Sequence, residues 1–121
     1  MNKRTNRRGY NVLSTLKHNQ IIYAFRYYIP GTYTNLELSP VVKGIIKENT
    51  HRNGNTYNRF FRINKKGEPG REMCSWAWFL FETEADANDA YQELLEDITT
   101  DLNNKIGAIQ TLLEKVEKAK V

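Results

Sequence analysis

Trp76 and Trp78 stand two residues apart in "CSWAWFLFETEADANDAY", residues 74–91. Flat indole rings do one of two things: they pack in a core, or they offer a face on which a nucleobase stacks. Read as a strand, the run places Trp76, Trp78, Leu80 and Cys74 on one face and Ser75, Ala77, Phe79 and Phe81 on the other. Both faces are apolar, so both need cover, and one layer of helix covers only one of them. Basic side chains supply the second chemical theme. Arg52 flanks an Asn-Gly turn, Lys65, Lys66 and Arg71 flank the next turn, and Arg59 and Arg62 alternate on the strand between them. With Lys3, Arg4, Arg7 and Arg8 near the N-terminus, these cations suit a groove that follows a phosphate backbone. Basic loops of this kind also serve solubility alone, and both readings stand.

Catalytic chemistry has little to rest on. His18 and His51 are 33 residues apart, and nothing local brings them to one scissile bond. There is no phosphate-binding Gly-rich loop, no nucleophile elbow and no run of metal ligands. A lone Cys74 with two histidines falls short of the about four ligands a structural zinc requires. "EADAND" is an acidic helix start favoured by the helix dipole. No cofactor is expected and no enzymatic activity, a small nuclease being the one catalytic alternative.

The 121 residues, 40% of them hydrophobic, with seven Tyr and five Phe, describe one folded domain with a modest core. The longest clean apolar run, 76–81, is strand-sized, well short of the roughly 20 residues of a membrane helix. No membrane partner is expected. The single cysteine and the absence of a hydrophobic leader point to a cytoplasmic protein. The net charge of +4 hides a split. Residues 1–72 carry 14 Lys or Arg against four acids, and residues 73–121 carry four Lys against ten acids. The basic part is a plausible polyanion footprint; the acidic part is equally able to neutralise it within the molecule.

The elements that must position these residues follow from periodicity. "MNKRTNRRG", residues 1–9, has no apolar pattern and reads as a flexible basic arm. The rest, 10–121, reads as a single domain, with sheet over 10–82 and helix over 84–120. "IIYAFRYYI" is β-branched and aromatic, a strand ended by "PGTYTN". "SPVVKGIIKEN" fits a helix by its Ser-Pro start and a strand by its four β-branched residues. The following "RNGN" favours a hairpin of 41–50 with 56–64. "NKKGEPGRE" is a second turn, leading into a strand over 73–82. Thr83 then caps a helix. Leu102, Ile106, Ile109, Leu113 and Val116 recur at spacings of four and three, a seam for a partner helix. One helix over 84–120 would be about 55 Å long, more than a five-strand sheet covers, so its second half either folds back as a hairpin or meets a second chain. The fold class is α+β: an antiparallel meander of four or five strands followed by a long or hairpin-folded C-terminal helical segment packed on the sheet.

"SWAWFLF" resembles the RNP1 signature of RNA-recognition motifs, in which a small residue, an aromatic, a small residue and a second aromatic open a strand. Ser75 stands for the usual Gly, and Cys74 stands where that family carries a basic residue. "ETEADANDAYQEL" is similar to the helix that follows. The resemblance covers about 20 residues and implies that Trp76 and Trp78 stack on bases. Upstream, "IIYAFRY" matches the companion motif poorly, and no strand follows the helix. The expected function is non-catalytic nucleic-acid binding, to RNA or single-stranded DNA. The alternative is a small regulatory or inhibitory protein that binds a host protein or nucleoprotein enzyme through its aromatic face or C-terminal helix. The short, Asn-rich chain resembles in style the anti-host factors of bacteriophages. A homodimer through the C-terminal seam is a further expectation.

Overall fold

β-branched and aromatic runs pair around one central strand in the computed structural model, which describes residues 3–31 and 35–120. Met1 and Asn2 of the expected arm, Thr32–Thr34 of the expected turn, and Val121 lie outside the described residues. The chain opens with a one-turn helix α1 (Gly9–Val12) and a 3₁₀ turn (Leu13–Thr15). The strands are β1 (Ile21–Phe25), β2 (Tyr27–Tyr28), β3 (Glu37–Leu38), β4 (Val42–Thr50), β5 (Thr56–Ile63), β6 (Pro69–Met73) and β7 (Phe79–Phe81). Helix α2 (Glu84–Ala119) closes the chain.

The fold is α+β. Five antiparallel strands form the main sheet in the order β6-β5-β4-β1-β7, and β2 pairs with β3 in a small ribbon of its own. The expected hairpin is formed, with Thr50 opposite Thr56 across a loop in which Gly54 takes φ +89°, a conformation open to glycine and costly for other residues. From β1 through β4, β5 and β6 the sheet is a meander. β7 breaks it by returning to the far side of β1, with Ala24 opposite Leu80 and Phe25 opposite Phe79.

That return corrects the reading of 73–82 as one strand. Met73 ends β6 on one edge of the sheet, and Phe79 starts β7 on the other. Residues 74–78 cross between them, turning at Cys74–Ala77 with the Ala77 amide donating to the Cys74 carbonyl at 3.0 Å. Strand alternation therefore does not govern Trp76 and Trp78, and the sheet-face presentation implied by the RNP1 resemblance is not formed. Residues 39–48, which that family's layout would require as a helix, lie largely in β4.

Each face of the sheet has its own cover. On one, Ile22, Ala24, Val42, Ile46, Phe60 and Leu80 pack with Val12 and Leu16 from the N-terminal turns and with Trp78 from the crossing segment. On the other, Phe25 stacks between Phe79 and Phe81 at 5.7 and 5.6 Å, and Tyr91 of α2 tilts against it at 5.1 Å. Ala87 and Ala90, on the Tyr91 stripe of the helix, are fully buried. Small residues there let the helix approach closely.

Internal contacts divide the chain into Met1–Tyr91, which holds the sheet, and Gln92–Val121, the remainder of α2. The helix starts where the sequence places it. Thr83 Oγ1 accepts the Asp86 amide at 3.1 Å, and Glu84 and Asp86 occupy the first turn. It then runs unbroken to Ala119 rather than folding as a hairpin. The weak stretch "ITTDLNN" contains no Pro to break it, Thr99 Oγ1 donates to the Leu95 carbonyl at 2.8 Å, and Asp101 pairs with Lys105 at 3.2 Å. Within the second unit Leu94 and Ile98 are buried, Leu102 is half-buried, and Ile106, Ile109, Leu113 and Val116 are exposed. Among the described residues no helix is long and apolar enough to cross a membrane.

Candidate nucleic-acid interface

The two tryptophans part company at the turn. Trp78 points into the core at 7% exposure, its ring edge-on to Phe60, with centroids 6.4 Å apart. Trp76, at the tip of the Cys74–Ala77 turn, is 68% exposed. Around it the surface is concave and basic. A groove of about 860 Å³ is lined by Arg8, Arg26, Tyr27, Tyr28, Glu37 and Trp76, among others. An adjoining concavity of about 350 Å³ shares Arg26, Ser39, Trp76 and Ala77 with it and adds Arg62, Arg71 and Trp78. A third, of about 290 Å³, shares Arg62 and Arg71 and adds Lys65. Trp76 is thus a flat aromatic face set along a track of five cations.

Each cation is positioned by a different element. Arg26 interrupts the apolar strand between β1 and β2, and its guanidinium lies 5.7 Å from the Trp78 ring centre. Arg62 stands opposite Gly44 in the hairpin register, on the Phe60 face of β5, and Arg71 stands on β6 beside it. Lys65 follows in the turn after β5. Arg8 packs over Phe79 at 4.1 Å and donates from Nη1 to the Trp76 carbonyl at 3.2 Å, which ties the turn to the N-terminal segment. Of the two carboxylates in the lining, Glu37 lies on β3, and Glu72 is engaged by Arg59 across the β5–β6 pair. That exposed pair holds the Glu72 carboxyl below the usual carboxylate range through its hydrogen bond from Arg59, and raises Arg59 in turn.

Other cations named from the sequence go elsewhere. Residues read as a flexible arm are laid along β7. The Gly9 amide donates to the Trp78 carbonyl, the Leu80 amide donates to the Arg7 carbonyl, and Arg8 bridges Phe79. Arg7 Nε donates to the Leu80 carbonyl at 2.8 Å with its guanidinium 5.3 Å from the Phe81 ring, and it borders a separate cleft with Lys3, Glu82 and Asp86. Arg4 is buried, 5.7 Å from the Tyr27 ring centre. Arg59 faces away from the groove, because it lies one residue out of phase with Phe60 and Arg62. Lys66 is exposed on the 64–67 turn beside the track. Arg52 sits in the loop at the opposite end of β5 from Lys65, about 26 Å away at strand rise.

The groove's missing members from the sequence reading are Arg26, Tyr27 and Tyr28. A charged residue inside "IIYAFRYYI" was their one visible signal. Each histidine has a local contact: His18 Nδ1 accepts the Glu48 amide at 2.9 Å, and the His51 ring stacks on Tyr57 at 4.2 Å. Among the described residues, no group of three or more His, Cys, Asp or Glu side chains is placed to hold a metal.

Comparison with known proteins gives no relative: no protein-family model, no curated protein and no solved structure matches the chain.

Proposed function

We propose that the chain is a non-catalytic nucleic-acid-binding protein that takes single-stranded RNA or DNA along the groove around Trp76. The observation that carries this reading is the pairing of an exposed indole with a continuous track of cations, Arg8, Arg26, Arg62, Lys65 and Arg71. Guanidinium groups bind phosphate oxygens in fork geometry, and an open indole stacks on any unpaired base. Stacking of this kind needs bases freed from a duplex, which favours single strands. Tyr27 and Tyr28, in the same groove, offer further aromatic surface. In this reading Arg26, Arg62, Lys65 and Arg71 meet the backbone, Trp76 meets a base, and Arg8 holds the turn that presents it.

The test is a titration with a mixed-sequence single strand of about 20 nucleotides, following tryptophan fluorescence at about 50 and 200 mM salt. Quenching and a steep loss of affinity with salt are expected, and a duplex of the same sequence should bind more weakly. Replacing Arg62 and Arg71 by Ala should each flatten the salt slope by about 0.7. No binding to either strand at low salt overturns the proposal and leaves the groove to an inhibitory contact with a partner protein.

A further inference from the structure

The exposed seam of α2 supports a second inference, which stands on the helix alone. Ile106, Ile109, Leu112, Leu113 and Val116 are each more than half exposed, with Ile109 at 64%. Five large apolar side chains within 11 residues form a patch that soluble surfaces seldom leave uncovered. We infer that this seam pairs with the same seam of a second copy of the chain, as an antiparallel two-helix contact.

The orientation follows from what flanks the seam. In heptad terms Ile106 and Leu113 occupy a, Leu102, Ile109 and Val116 occupy d, Leu112 occupies g, Glu117 occupies e, and Lys120 returns to a. A parallel pair would set Leu112 against the partner's Glu117 and would put the two Lys120 ammonium groups face to face in the core. Both contacts are unfavourable. Run antiparallel about a twofold axis at residue 111, the same helix meets itself without conflict. Ile106 lies against the partner's Val116, and Ile109 against the partner's Leu113. Leu112 meets its own copy beside the axis. Lys120 ends beside the partner's Leu102, where its stem packs and its ammonium reaches water. This self-complementarity is what a closed twofold interface requires, and it singles out a second copy as the occupant.

The experiment is sedimentation equilibrium on the full chain across a concentration series, with cysteine crosslinking in a Cys74→Ser background. A mass rising toward twice 14.2 kDa is expected, falling back to one chain in Ile109→Glu. That position is exposed and Glu is a good helix former, so helicity by circular dichroism should be retained. With a short bis-maleimide, Leu112→Cys should crosslink to dimer and Lys120→Cys should not, because the antiparallel register separates the two Lys120 positions by about 27 Å. A one-chain mass at every concentration overturns the inference. So does crosslinking through Lys120→Cys, alone or alongside Leu112→Cys.

Discussion

The ring of Trp78 meets the ring of Phe60 edge-on, at an interplanar angle of 75°, and through that contact the segment crossing from β6 to β7 is anchored to the core. Trp76, two residues earlier, shares none of that burial. The same residue type therefore occupies two environments, and substitution separates them.

Trp78→Ala should cost about 3–5 kcal/mol of stability, the range for removing a buried large aromatic. Trp76→Ala should change stability by no more than about 0.5 kcal/mol and lose about 1–3 kcal/mol of affinity for a single strand. Urea melts of both variants, with oligonucleotide titrations of Trp76→Ala, check this. A Trp76→Ala protein that binds as well as the parent would remove stacking from the account.

Gly9 is where the N-terminal segment packs against the backbone of the Trp76 turn. A Cβ placed there would run into the Ser75 carbonyl oxygen and backbone, so the backbone of one must move. Gly9→Ala should destabilise by about 1–3 kcal/mol, as overpacking does, and should also shift Trp76 emission, because Ser75 is its neighbour in the turn. Intrinsic fluorescence and a thermal melt on the same sample read both effects. Destabilisation with unchanged emission would show that the turn is held independently of Gly9.

Glu72, on β6, is a carboxylate whose pairing makes a pH-dependent contribution. Its carboxyl is held low chiefly by the hydrogen bond from Arg59, with Coulomb attraction adding to it. A depressed carboxyl stabilises the fold above its unfolded pKa, and the contribution is lost as pH falls through the folded value. The pair is exposed, so the effect is small and screened by salt. A carbon-detected NMR titration should give Glu72 a midpoint below that of an ordinary glutamate, and Arg59→Ala should return it to the ordinary range. Because Glu72 lines the groove, that variant leaves its carboxylate uncompensated there and should lower the affinity for single strands at low salt.

Much of this architecture was legible in local pattern. The β-branched and aromatic runs marked the strands, "RNGN" marked the hairpin, and Thr83 with Asp86 marked the helix start, because each signal acts within a few residues. The helical seam was also visible as spacing. Which way Trp76 and Trp78 turn was not. That depends on β7 pairing with β1 rather than with β6, a choice made between strands more than 50 residues apart and invisible to alternation. The N-terminal basic residues lacked any periodicity, yet tertiary hydrogen bonds to Leu80 of β7 and to Trp78 just before it hold Arg7 and Gly9. Sequence alone determined an α+β chain with basic turns, two tryptophans and a C-terminal helix. Only the tertiary structure decided which tryptophan is core and which is surface, and which arginines share a groove, because those outcomes rest on long-range pairing rather than on local propensity.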